Sequence, residues 1–143
     1  MRTQLALALL PPLLFSACVT GAVCTEIGCQ TYASFELPDL PDGTYRIEID
    51  LEGQPIACDF ALPEDAALGC EGLVEIWNGA DGVTIAAYPE EPTELPASAT
   101  VLLTDSEGTA LIDEAVDLAW GDPVYPNGEA CDELGCRSAL VML

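Results

Sequence analysis

Hydrophobic and polar side chains alternate most strictly over residues 44–52, where Tyr45, Ile47, Ile49 and Leu51 are interleaved with Arg46, Glu48, Asp50 and Glu52. A period of two is that of a β-strand with one face on a core and the other in water. Residues 55–62 repeat it, with Ile56, Cys58, Phe60 and Leu62 on one face. Gly53 and Gln54 supply the short hairpin turn between the two runs. The pattern points Cys58 inward, as a buried half-cystine.

The alternation breaks at residues 63–69, where the chemistry is that of a single helical turn. Pro63 suits the first helical position, Glu64 and Asp65 suit the positive end of the helix dipole, and Gly69 can cap the far end. Such a turn returns Cys70 towards Cys58. Further strands are expected at residues 31–37, 73–77, 83–88, 99–104, 109–120 and 137–143. The turns between them include Asn78-Gly79-Ala80-Asp81-Gly82 and Asp105-Ser106-Glu107-Gly108. Residues 109–120 also suit an amphipathic helix, and as a strand they require a bulge near Asp113 and Glu114. The strand is the reading adopted. Residues 89–96, with Pro92 between acidic residues, read as a solvated loop. Short strands separated by turn signals every eight to twelve residues or so predict one all-β domain, a small antiparallel sandwich, over residues 31–143.

The first residues follow a different logic. Arg2 precedes an apolar stretch over residues 5–14, interrupted by Pro11 and Pro12 and too short to span a bilayer. Phe15-Ser16-Ala17-Cys18 closes it and resembles the bacterial lipobox. That resemblance implies a signal peptide over residues 1–17, cleavage before Cys18, and a lipid on Cys18 as the new N-terminus. Residues 18–30 then form a lipidated N-terminal segment. Val19 stands where an Asp would mark retention in the inner membrane, which by the same resemblance implies an outer-membrane anchor. The alternative is ordinary signal-peptidase cleavage after Ala22.

Cysteine count changes the picture next. There are seven cysteines, and lipidation of Cys18 leaves an even six. In an exported protein these are expected as disulfides rather than as thiolate ligands of zinc. Six cysteines allow about fifteen pairings. The preferred set joins Cys58 to Cys70, Cys24 to Cys29 and Cys131 to Cys136, the last two as local clasps. The alternative ties the two terminal pairs to one another, clamping the first strand to the last.

Two resemblances bear on fold and location. The stretch Leu37-Pro38-Asp39-Leu40-Pro41-Asp42-Gly43-Thr44-Tyr45-Arg46-Ile47 resembles the turn that opens a strand in many immunoglobulin-like and transthyretin-like extracellular sandwiches. More broadly, Cys24-Thr25-Glu26-Ile27-Gly28-Cys29 near one end, with Pro126-Asn127-Gly128-Glu129-Ala130-Cys131 and Cys136 near the other, resembles small cysteine-containing lipoproteins of myxobacteria and related deltaproteobacteria. That likeness implies a fold and a location and no activity.

Composition excludes several chemistries. The chain has no His, and its three basic residues are the arginines Arg2, Arg46 and Arg137. Without His or Lys there is no Ser-His-Asp or Cys-His arrangement, no imidazole ligand, no Ser-Lys dyad and no Schiff base. The 25 acidic residues all follow the signal segment and give a formal net charge of −22, which repels nucleic acid and anionic membranes. Calcium ligation at the acidic turns of residues 39–42 and 105–107 is one alternative function, and a carboxylate-pair hydrolase is another, although no D-x-D-x-D-G loop is present. Tyr45 and Phe60 read as core, and Trp77, Trp120, Tyr88 and Tyr125 as core edges rather than a recognition patch. The sequence therefore leads to a non-enzymatic, cofactor-free structural or binding module of the cell envelope. It would be held to the membrane by its lipid and present itself to an envelope protein or glycan.

Overall fold

The strict alternation of residues 44–62 is realised as two paired strands, and seven more complete two sheets. The computed structural model describes residues 28–143, apart from 64, 65, 80, 81 and 92. In chain order the strands are β1 (Tyr32–Glu36), β2 (Gly43–Asp50), β3 (Pro55–Leu62), β4 (Ala66–Glu71), β5 (Val74–Gly79), β6 (Gly82–Ala87), β7 (Ser98–Asp105), β8 (Ala110–Asp117) and β9 (Ser138–Met142). One sheet has the order β5-β6-β1-β9 and the other β4-β3-β2-β7-β8. All strand pairs are antiparallel except β1 with β9, which run parallel with Tyr32 opposite Ser138.

The core lies between the sheets and is built from the inward rows of both. Tyr45, Ile47 and Ile49 of β2 and Ile56, Cys58 and Phe60 of β3 face Phe35, Ile85 and Val141 of the smaller sheet. All are buried, as period-two patterning requires of one face. The Tyr45 ring stacks on Phe60 with centroids 5.5 Å apart, and its hydroxyl donates to the carbonyl of Pro41 at 2.6 Å. That bond fixes the turn before β2.

Three local expectations are corrected. The β2–β3 turn is Glu52-Gly53, one residue earlier than expected, and both residues have positive φ, 51° and 94°. Leu51 and Gln54 exchange backbone hydrogen bonds across it, so Leu51 stays in the core. Positive φ at both central positions is the hairpin geometry whose twist matches the flanking strands. The helical turn expected at residues 63–69 is absent, because residues 66–71 form β4 against β3 with Cys70 opposite Cys58. Pairing with an adjacent strand outweighs the local helix-start chemistry. A register shift leaves Leu68 as the extra residue of β4. The bulge of β8 falls at Leu111 instead of near Asp113 and Glu114, since Ala110 pairs with Thr104 and Ile112 with Leu103.

Candidate functional site

The sheets have two ends, and the chemistry-bearing residues gather at one of them. Because β1 and β9 are parallel, both begin at the same end, and Cys29 and Cys136 lie just before their first residues. These two cysteines form a disulfide with Cα atoms 5.8 Å apart, 107 residues apart in sequence. The local clasps Cys24–Cys29 and Cys131–Cys136 are thereby overturned in favour of a tie between the terminal pairs. An antiparallel arrangement of β1 and β9 would have put Cys29 and Cys136 at opposite ends. Cys58 and Cys70 form the other described disulfide, between directly opposed residues of β3 and β4. Cys131 is disulfide-bonded as well. Cys18 and Cys24, and with them the lipidation reading, lie outside the described residues.

Around Cys29–Cys136 the same end opens as a groove of about 980 Å³. One wall is residues 28–31, the second is the turn into β5 with Leu73 and Glu75, and the third is residues 131–136, with Tyr88 and Pro89 closing the floor. Leu73 and Leu134 are exposed in it, 57% and 58% respectively. Tyr88 donates its hydroxyl to Glu75 Oε2 at 2.9 Å, and its ring lies 5.9 Å from that of Tyr32. Desolvation first, and then the hydrogen bond and charge of Glu75, push the Tyr88 phenol up to about 12. It is therefore a neutral donor throughout the physiological range. Asp132 caps the turn below, accepting from the Asn127 backbone N–H at 2.8 Å and its Nδ2 at 3.1 Å.

The C-terminal wall depends on Gly135. It has φ +63°, and a Cβ there would stand 2.8 Å from Tyr125 Cε1 and 2.9 Å from Pro123. Only glycine lets residues 131–136 fold back against Tyr125 and deliver Cys136 to Cys29.

The acidic turn of residues 105–107 is occupied with its own backbone. Asp105 Oδ1 accepts from the N–H groups of Glu107 at 2.9 Å and Thr109 at 2.8 Å. Among the described residues no group of three or more His, Cys, Asp or Glu converges as a metal site requires. Of the aromatic residues set apart as core edges, Trp120 packs on the core and donates Nε1–H to the Pro96 carbonyl at 2.6 Å. Trp77 is instead 45% exposed.

Trp77 belongs to a second feature that periodicity did not single out. Across the outer face of the smaller sheet run the rows Trp77–Thr84–Glu36–Met142 and Glu75–Ala86–Ser34–Leu140. Leu140 and Met142 are 62% and 69% exposed. Trp77, Leu140 and Met142 thus share this face with Thr84, Ser34, Glu36 and Glu75. The signal was in the sequence, since residues 138–142 alternate with apolar side chains at both parities.

No protein family, no curated protein and no solved structure matches the chain.

Proposed function

We propose that this chain is a lipid-anchored, non-enzymatic module of the bacterial envelope. In this reading the signal of residues 1–17 exports it and Cys18 carries the lipid. The sandwich then stands on the outer membrane as a structural or binding element. The observation that carries the reading is the covalent closure of the fold: Cys29–Cys136, Cys58–Cys70 and a disulfide at Cys131, which belong to an oxidising compartment outside the cytoplasm. The likeness to myxobacterial lipoproteins supports the same location. The outer face bearing Trp77, Leu140 and Met142 supports binding over a purely structural role, because exposed apolar side chains grouped on one sheet face suit an envelope protein or glycan.

Intact-mass analysis of the full chain produced in a diderm host, after membrane fractionation, tests this. The expected species is membrane-bound, carries acyl mass on Cys18, and gains about six hydrogens on reduction of three disulfides. A soluble species beginning after Ala22, or one with free thiols, would overturn the reading.

A further inference from the structure

The larger sheet has five strands and the smaller four, so among the described residues one strand of the larger has no counterpart across the core. Exposure identifies it. Ala99, Val101 and Leu103, the inward row of β7, are buried, whereas the inward row of β8 is buried at Ile112, exposed at Glu114 and half-buried at Val116. The sheets are tied at their other side, where the two-residue connection Gly72-Leu73 carries the chain from β4 into β5. The position left open opposite β8 therefore lies beside β9. The ladder from β9 to β1 uses alternate residues, from Arg137, whose carbonyl accepts from the Tyr32 N–H, to Leu143, whose N–H donates to the Glu36 carbonyl. Ser138, Leu140 and Met142 thus turn their backbone groups away from β1. Gly121, just past β8, donates its N–H to the Ser138 carbonyl at 2.9 Å and closes one end of the gap. Leu140 and Met142 pair with no further strand among the described residues. Nor does β9 carry the charges, prolines or bulges that guard an edge strand.

We propose that an extended segment of a partner protein occupies this gap as a fifth strand of the smaller sheet. Its backbone pairs with Leu140 and Met142, and its inward side chains run apolar, basic, apolar against Val116, Glu114 and Ile112. The basic residue follows from Glu114, which stands on the inward row opposite Val101 yet is exposed. No cation of the described residues is left for it, because Arg46 is held by Glu48 and Asp59, and Arg137 donates to the Gly121 carbonyl. The outward side chains of the added strand extend the exposed apolar pair Leu140 and Met142. A second copy of this chain does not meet these requirements. Two β9 strands paired about Leu140 would set Met142 against Ser138, whose carbonyl Gly121 already holds, and β9 brings no base to Glu114. The same carboxylate turns away another acidic chain and selects a basic strand. This inference rests on the binding reading of the domain and not on its lipid anchor.

Residue-resolved hydrogen exchange of the oxidised full chain tests the open edge first. The amides of Leu140 and Met142 should exchange fast, while those of Ala139 and Val141, which face β1, are protected. Slow exchange at Leu140 and Met142 in the chain alone means that the edge is already covered, and overturns the proposal. The probe for the partner is the synthetic peptide Thr-Val-Thr-Arg-Thr-Val-Thr, which as a strand presents Val, Arg and Val on one face. At millimolar concentration it should protect the Leu140 and Met142 amides and shift the signals of Ile112, Glu114 and Val116. Glu114→Arg should weaken its binding about tenfold, and that variant should instead prefer the same peptide with Glu in place of Arg. Equal affinity of the native chain for the two peptides, or no protection of Leu140 and Met142 by the arginine peptide, overturns the proposal. Shifts confined to Trp77, Thr84 and Glu36 would move binding to the outer face, which ends this proposal and leaves the binding reading standing.

Discussion

Tyr88 shows how a single side chain is tuned where two elements meet. Its hydroxyl is partly desolvated at the end of β6 and donates to Glu75 on the neighbouring β5, and its phenol is pushed up to about 12 from the usual value near 10. A folded-state pKa above the unfolded one means that the stabilisation is fully present below about pH 10 and is lost as pH rises from there towards 12. Tyrosinate absorbance should therefore report one of the tyrosines ionising late. Glu75→Gln should bring that ionisation down towards the usual value near 10, with burial holding part of the shift. No tyrosine ionising as late as about pH 12 would show that the Tyr88–Glu75 contact is not held in solution. Glu52 works at the same scale through its backbone. It sits at φ 51°, unusual outside glycine, and its carboxylate accepts from the Ala97 and Ser98 N–H groups at 3.0 and 3.2 Å. The strained turn residue is thus what fastens the start of β7.

At the scale of strands, edges decide more than centres. β8 closes one side of the larger sheet, and its inward row reads Ile112, Glu114, Val116, continuing to Leu118 just beyond the strand. Glu114 stands opposite buried Val101 yet remains exposed, an inward-facing charge that keeps an open edge from pairing with another chain. Glu114→Val should leave monomer stability within about 0.5 kcal/mol while promoting self-association, read by sedimentation velocity against concentration. A variant that stays monomeric at every concentration removes that role from Glu114. This residue also explains what periodicity could and could not reveal. β2 and β3 were legible because both have one face in the core and one in water. β8 was legible as a strand but not in register, because Glu114 breaks the inward row and moves the expected bulge away from Leu111. β4 was missed because Pro63-Glu64-Asp65 carries local helix-start chemistry, while the strand exists through pairing with β3. The groove was illegible for a stronger reason: its walls come from segments about a hundred residues apart and meet only because β1 and β9 run parallel.

For the whole molecule, the large surplus of negative charge favours expansion, and the disulfides oppose it by limiting how far the unfolded chain can open. By chain entropy a loop spanning the 107 residues between Cys29 and Cys136 contributes about 4–5 kcal/mol, and the 12-residue loop of Cys58–Cys70 about 3 kcal/mol. Either is a large share of the roughly 5–15 kcal/mol that a domain of this kind holds in total. Urea midpoints of serine variants should show the losses at Cys58–Cys70 and Cys29–Cys136 as additive. Cys58→Ser with Cys70→Ser loses about 3 kcal/mol both in the native background and where Cys29 and Cys136 are also replaced by serine, because its short loop lies between the adjacent strands β3 and β4 and shares nothing with the terminal tie. A loss at Cys58–Cys70 that depends on whether Cys29–Cys136 is intact would mean that the two bonds constrain the same part of the chain.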